Sequence, residues 1–224
     1  MPIYPGDEDW VEDKTTKDYI THQNSNEVTC PRDDLFGRIL WLPNRAIAKM
    51  LPWEKMAPHP ILIASEIDKE GMVEVLLCTS FREKTLSERI PTSPDLDPDT
   101  QALARKVRSY FLPIEGCVEP EHPDNPVKNS LVTTTRIPSS QKRSSYVNGL
   151  FVRKVPFNLL EAFHDGGNAG HGTVRYSSNY RIDVPSRIQL GKFLSWQKKN
   201  PPKEEVADWS KTFKVQKEKK GNKR

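Results

Sequence analysis

The chain has 224 residues, of which 35% are hydrophobic and 29% are charged, and its 19 prolines outnumber its 11 glycines. The apolar share lies below the roughly 45–50% usual in globular proteins, which predicts a modest core with long polar segments and excludes collagen and coiled-coil architectures. No apolar run approaches the roughly 20 residues that a membrane-spanning helix needs. At roughly 100–200 residues per domain, the length predicts one domain with extensions or two small ones.

The net charge of +4 conceals two oppositely charged ends. Residues 1–34 contain nine acidic and three basic side chains, whereas residues 211–224 contain seven basic side chains and one acidic side chain. These charges of −6 and +6 cancel, so residues 35–210 carry +4 and give no evidence of a nucleic-acid-binding face. We therefore predict a disordered acidic lead at 1–34, a domain at 35–200 and a disordered basic tail at 201–224.

The first half of the chain predicts three strands. Residues 36–42 form the first strand, and a short helical turn follows at 44–50. Residues 61–67 and 72–81 are rich in β-branched and aliphatic side chains, and the polar loop between them ends in Gly71. This pattern predicts a hairpin whose last loop residue has a positive φ. Apolar residues occupy nearly every position of the second hairpin strand, which predicts burial of both its faces.

The middle of the chain predicts one helix and a proline-rich loop. Residues 99–110 have an acidic first turn and a basic last turn, as the helix macrodipole favours. Residues 112–128 contain four prolines and predict a loop. Residues 131–137 are a candidate for a short strand.

The last third of the chain predicts a strand-like segment and two helices. Residues 144–155 alternate as a strand does, with Asn148 and Gly149 in the middle. This pair predicts either a type I′ hairpin turn or a single strand with a bulge. Residues 157–163 predict a short helix, and residues 187–199 predict an amphipathic helix.

The remaining reactive side chains do not form a recognisable site. The three cysteines have no CxxC spacing, and no two of the five histidines have the spacing of a helical zinc site. We therefore expect no metal and no cofactor. The first residues also lack the basic and apolar regions of a signal peptide, so we expect a cytoplasmic or nuclear protein.

The order of four segments resembles the PemK/MazF-like small barrel: FGRILWLP, HPILIAS, VEVLLCTSF and SYVNGLFVRKVPFNLL. The resemblance covers residues 36–81 and 144–163, with a long insertion between them. The HPIL, TSF, LPI and SYVN blocks are also similar to those of a set of fungal proteins with no established activity. The resemblance implies a mainly β (α+β) fold, a small SH3-like antiparallel barrel with helical insertions and disordered tails.

The same resemblance implies candidate catalytic residues. The toxins of the PemK/MazF family are ribonucleases that use the arginine of an Arg-Pro pair and the threonine that ends the next strand. These positions correspond to His59 and Thr79, of which only Thr79 matches. Histidine lacks the permanent charge of a guanidinium, but it can act as a general acid or base. Arg38 and Arg82 are further candidates for phosphate contact.

Three hypotheses for function follow. The leading one is a non-catalytic binding or accessory module, and the first alternative is an endoribonuclease of the PemK/MazF type. The second alternative is a nucleic-acid-associated protein that acts through four lysines of the tail, Lys214, Lys217, Lys219 and Lys220. We expect a protein or a nucleic acid as the partner and no membrane, and the sequence leaves a homodimer open.

Overall fold

A computed structural model of the chain describes residues 27–30, 34–50, 59–81, 84–115, 126–127, 130–134, 145–164, 176–177 and 179–210. The strands are β1 (Ile39–Leu42), β2 (His59–Ile63), β3 (Met72–Thr79), β4 (Phe111–Pro113), β5 (Tyr146–Pro156), β6 (Glu161–His164) and β7 (Tyr176–Ser177). The helices are α1 (Asn44–Met50), α2 (Leu86–Arg89), α3 (Pro98–Arg108), α4 (Val184–Lys199) and α5 (Glu204–Ala207), with a 3-10 turn at Phe157–Leu159. The fold is a mixed α+β fold with a β-rich core, as predicted.

The strands pair in the order β4-β5-β3-β2-β1-β6-β7, and every pairing is antiparallel. Six strands form the main sheet, and β7 extends it through two residue pairs with β6. The longest pairing joins β3 to β5, and the β2–β3 hairpin lies beside it. The centre of the sheet is therefore formed by the elements that the sequence predicts most strongly.

The predicted closed barrel is not formed by these strands, because the edge strands β4 and β7 do not pair within the described residues. Isolated bridges connect the β4 edge to β1 through two short segments, 130–134 and 179–182. The first segment contacts β4, where the Leu131 N–H donates to Pro113 O at 2.8 Å. The Thr134 N–H donates to Arg181 O at 2.9 Å, and the Ile39 N–H of β1 donates to Tyr180 O at 2.8 Å. The segments that make these contacts are too short to form ladders. Isolated bridges therefore link the β4 edge to β1, but no continuous strand pairing closes the sheet into a barrel within the described residues.

The predicted hairpin and the helical turn before it are confirmed. The turn predicted at 44–50 is α1, and the two hairpin strands are β2 and β3. Gly71 has a φ of +77°, and its N–H donates to Asp68 O at 3.0 Å. A side chain at this backbone conformation would be strained, which is why the loop ends in glycine.

Strand β3 is buried on both faces, as predicted. Val73 and Val75 lie in one buried cluster with β1 and β2 residues. Leu76 and Cys78 lie in a second cluster, which includes Phe193 of α4. Burial also raises the pKa of the Cys78 thiol to about 12, so this cysteine is a small apolar core residue.

Of the two alternatives for the Asn148-Gly149 pair, the single strand with a bulge is confirmed: β5 is one strand, and its register against β3 shifts beside Gly149. Two other sequence predictions differ from the structure. The predicted helix at 157–163 is a 3-10 turn followed by β6, because β6 pairs with β1 and strand pairing overrides local propensity. The predicted loop at 112–128 begins inside β4.

The basic tail expected from residue 201 begins with packed structure. Val206 is 1% exposed and Trp209 is 9% exposed. The ring of Trp209 lies edge-on to Phe111, with 6.2 Å between centroids, and the Arg89 guanidinium lies 5.4 Å from its centroid. Helix α5 is too short to show a hydrophobic period, so the sequence pattern did not reveal this contact.

The outer parts of the two predicted tails, residues 1–26 and 211–224, lie outside the described residues. The end of the predicted acidic lead is described and contributes to the core. Val28 and Cys30 pack against the buried cluster that contains Leu35. Packed residues therefore begin before the domain boundary that the sequence suggests.

Helix α4 packs closely against β5 at Gly149. A Cβ atom at this position would collide with Phe193 Cζ and would lie 3.0 Å from Tyr110 O. The Gly149 N–H donates to Tyr110 O at 2.8 Å, and Gln197 Nε2 donates to Gly149 O. Only a residue without a side chain leaves room for this contact, so Gly149 sets the position of α4.

Replacing Gly149 with alanine should therefore destabilise the protein by about 1–3 kcal/mol, because the added methyl group forces α4 away from β5. Gly191 is the matched control, since a Cβ atom there meets nothing within 4 Å. Gly191→Ala should stabilise the protein by about 0.5–1 kcal/mol, as alanine is the better helix former. Urea unfolding measures both effects, and equal effects at the two positions would contradict the close packing.

Candidate functional site

His59 and Thr79, the two residues that the family resemblance singled out, lie on neighbouring strands. Ile61 pairs with Leu77 in the β2–β3 ladder. Extending this antiparallel register by two residues places His59 opposite Thr79 at one end of the sheet. Both side chains are half-buried. The structure therefore brings these two residues to the same end of the sheet.

Burial lowers the pKa of His59 below its usual value of 6.5. The imidazole is then neutral near pH 7, and a neutral imidazole can accept a proton. It cannot supply the permanent positive charge that an arginine would place beside a phosphate. The pair formed by His59 and Thr79 thus offers a base and a hydroxyl without a cation of its own.

Arg38 lies at the other end of β2. Its carbonyl accepts a hydrogen bond from Ile63 N at 2.9 Å. Ile63 is four positions from His59 along β2, which corresponds to about 13 Å. The Arg38 guanidinium is bound to Asp34, with 2.6 Å between Nη2 and Oδ2. Arg38 is therefore not part of a site with His59.

The other predicted site residues lie outside the described residues: Arg82, Lys214, Lys217, Lys219 and Lys220. Their suggested roles in phosphate contact and nucleic-acid binding stay predictions. Within the described parts of the chain, no group of three or more histidine, cysteine, aspartate or glutamate side chains could hold a metal ion.

A concave surface that the sequence did not reveal opens between β5 and the C-terminal end of α4. We call it the β5 groove. It has a volume of about 340 Å³ and is lined by Glu74, Leu150, Phe151, Val152, Leu194, Gln197, Lys198, Pro201 and Pro202. Apolar side chains form most of this lining, with one acidic and one basic residue.

The groove exists because β5 is irregular. Arg153 pairs with Val75, and Asn148 pairs with Leu77, so one residue of β3 faces four residues of β5. The surplus residues bulge out of the ladder. Phe151 and Val152 are 42% and 37% exposed as a result, which is unusual for large apolar side chains inside a strand.

The outer edge of β5 is open beside the groove. Strand β4 pairs with β5 only as far as Asn148. The Phe157 N–H donates to Gly71 O at 3.0 Å. Along an antiparallel strand, the backbone N–H and C=O groups of successive residues point alternately toward and away from the neighbouring strand. Those of Phe157 point toward the β3 side, so those of Lys154, three residues earlier, point away from β3. No strand of the described residues covers this edge beyond Asn148.

Charged side chains of both signs surround this edge. Lys154 Nζ lies 2.8 Å from Asp68 Oδ2, and this contact lowers the pKa of Asp68 and raises the pKa of Lys154. The Arg153 guanidinium lies 5.8 Å from the centroid of the Phe151 ring. With Lys198 in the groove lining, three cations face three carboxylates, those of Asp68, Glu70 and Glu74.

Comparison with protein-family models, with curated proteins and with solved structures finds no match for this chain. Among the helices in the described ranges, none has both the length and the apolar character needed to cross a membrane. The geometry of the groove and of the strand edge therefore carries the functional argument.

The lowered pKa of His59 predicts a measurable effect of pH on stability. As the pH falls through about 6.5, the unfolded chain binds a proton on this residue more readily than the folded chain does. The stability that neutral His59 contributes is thus present above this pH and is lost below it. Urea unfolding across this range should show a smaller loss for His59→Gln than for the wild type. Parallel losses in the two proteins would contradict the lowered pKa.

Proposed function

We propose that the protein is a non-catalytic binding module that takes up an extended polypeptide segment along the open edge of β5. The segment adds a strand to the sheet and places an apolar side chain in the β5 groove. The observation that carries this proposal is the coincidence of exposed Phe151 and Val152 with a strand edge that no strand of the described residues covers. Strand addition of this kind is a common mode of peptide recognition.

Unpaired backbone groups at a sheet edge are a template for pairing with another chain. The N–H and C=O of Lys154 supply such groups, and the bulge places Phe151 and Val152 beside them. Main-chain hydrogen bonds would provide affinity, and the groove would select the side chains of the bound segment. The two features support one another because the same strand forms both.

The charge distribution indicates the chemistry of the partner. Arg153 and Lys154 are adjacent on the edge strand itself, and Lys198 lines the groove, whereas Asp68 and Glu70 belong to the loop between β2 and β3. An extended segment with acidic residues on either side of an apolar residue complements this surface. Antiparallel pairing of β5 with a second copy would instead bring the two basic pairs together, which is unfavourable. We therefore favour an acidic partner segment over a homodimer at this edge.

The same proposal includes an SH3-like or PemK-like arrangement of the strands. Isolated bridges connect the two sides of the sheet, from β4 to β1, by way of residues 130–134 and 179–182. This connection supports a barrel-like topology, on which an edge left open beside a bulge is a natural binding position.

Lys154→Pro tests the proposal, with Lys154→Thr as its matched control. Both variants lose the exposed ion pair with Asp68, which contributes little to stability, but only proline removes the outward N–H. A fluorescent peptide of alternating valine, tryptophan and aspartate serves as the probe. We expect Lys154→Pro to bind it about tenfold or more weakly than Lys154→Thr, because a strand hydrogen bond is lost and the ring blocks the edge.

Amide chemical shifts of the wild-type protein provide a measurement that needs no variant. Addition of the probe should shift the amides of Val152 and Lys154 more than those of β1. A probe in which lysine replaces aspartate should bind more weakly. Equal binding by the two Lys154 variants, or shifts confined to other strands, would rule out strand addition at β5.

The ribonuclease alternative has one observation in its favour, which is the position of His59 opposite Thr79. We expect no cleavage of single-stranded RNA by the full-length protein in metal-free buffer at low salt, because catalysis needs a cation where charge develops on phosphorus. The decisive comparison is with His59→Ala. Cleavage by the wild type that disappears in the variant would establish the ribonuclease in place of the binding module.

A further inference from the structure

Three arginine side chains converge on one carboxylate at the side of the sheet where α4 begins. Asp34 Oδ2 lies 2.6 Å from Arg38 Nη2 and 3.1 Å from Arg181 Nη1, and Asp34 Oδ1 lies 3.5 Å from Arg187 Nη1. We call these four residues the arginine cluster. Three positive charges and one negative charge leave it with a net charge of +2.

The fold builds this cluster from three separate segments. Arg38 precedes β1 and bridges to Arg181, and Arg187 lies in the first turn of α4, after the N-cap residue Asp183. Gly37 has a φ of +84°, and a Cβ atom there would lie 2.8 Å from Arg187 Cγ. The absence of a side chain at Gly37 thus allows the stem of Arg187 to cross the backbone.

The three arginines differ in how closely they are bound to Asp34. The Arg38 side chain is 6% exposed and makes the shortest contact. The side chains of Arg181 and Arg187 are 24% and 26% exposed, and their contacts are longer. Arg187 Nε is buried and has no hydrogen-bond partner among the described residues. A guanidinium has five N–H donors, and the long contact with Asp34 uses only one of those on Arg187.

We propose that the arginine cluster binds a phosphate-type oxyanion through Arg187 and Arg181. The guanidinium fork matches the oxygen geometry of phosphate, and charge-assisted hydrogen bonds to it are stronger than neutral ones. A dianion would neutralise the charge of +2. In this arrangement Asp34 holds Arg38 on the buried side and keeps the two outer guanidinium groups together at the surface.

The cluster is separate from the β5 groove. Arg187 lies in the first turn of α4, whereas Leu194 and Lys198 line the groove at the other end of the same helix. The phosphate site therefore does not depend on the proposed binding of a peptide, and either proposal can fail without the other.

Calorimetric titration of the full-length protein with inorganic phosphate tests the inference. We expect saturable binding that is about tenfold weaker in Arg187→Gln, because two or more charge-assisted hydrogen bonds are lost. Arg187→Lys keeps the charge but not the fork and should bind with intermediate affinity. Arg45→Gln is the control, since Arg45 is 64% exposed and pairs with Glu161 at 2.9 Å, outside the cluster. Its affinity should equal that of the wild type.

Two further measurements complete the test. Thermal unfolding without phosphate shows whether each variant folds, and amide shifts of wild-type Gly37 and Arg187 on phosphate addition need no variant. Comparison of inorganic phosphate, a nucleoside monophosphate and single-stranded RNA identifies the source of the phosphate group. Absence of saturable binding, or equal loss in Arg45→Gln and Arg187→Gln, would overturn the proposal and leave the cluster as a purely structural ion-pair network.

Discussion

The close contact between α4 and Gly149 is the constraint on which the β5 groove depends. Phe193 occupies the space that a side chain at Gly149 would need, and Gln197 donates to the Gly149 carbonyl. The helix therefore lies directly on β5 at this point. The strand accommodates it by leaving the β3 ladder between Asn148 and Arg153. The groove opens where this irregular stretch passes the end of the helix, so a packed core rather than a loop determines its shape.

Helix α4 also relates the two proposed sites to each other. Arg187 and Lys198 are eleven residues apart, which corresponds to about 16 Å along a helix axis. Glycine permits a close approach at both places, Gly37 beside the stem of Arg187 and Gly149 beside Phe193. A regular helix held at two points keeps the arginine cluster and the β5 groove at a fixed separation. A ligand with both a phosphate group and an extended peptide could therefore be recognised only at that separation.

Local patterns predicted much of the fold and little of the groove. The alternation in β3, the glycine at the end of its hairpin and the charge pattern of α3 are each visible within one segment. Strand β6 was missed because its few apolar residues fit either a strand or a helix, and pairing with β1 decides between them. Ile188, an apolar residue within the predicted amphipathic helix, is 53% exposed. The groove brings together Glu74, Phe151 and Pro201, which are far apart in the sequence, so no local pattern predicts it. Only the Asn148-Gly149 pair indicated that β5 is irregular.

The distance between the arginine cluster and His59 favours binding over RNA cleavage. Proton transfer requires a base within about 3 Å of the reacting group, whereas Arg38 and His59 lie at opposite ends of β2, about 13 Å apart. A phosphate held by the arginine cluster would therefore be out of reach of the His59 imidazole. Of the described arginines, Arg38, Arg181 and Arg187 gather around Asp34, away from the His59 end of the sheet. Arg45 follows β1 near that end, but it is paired with Glu161 at 2.9 Å. RNA cleavage at His59 would thus depend on a cation such as Arg82, while the proposed peptide and phosphate binding would use groups that the fold already places together.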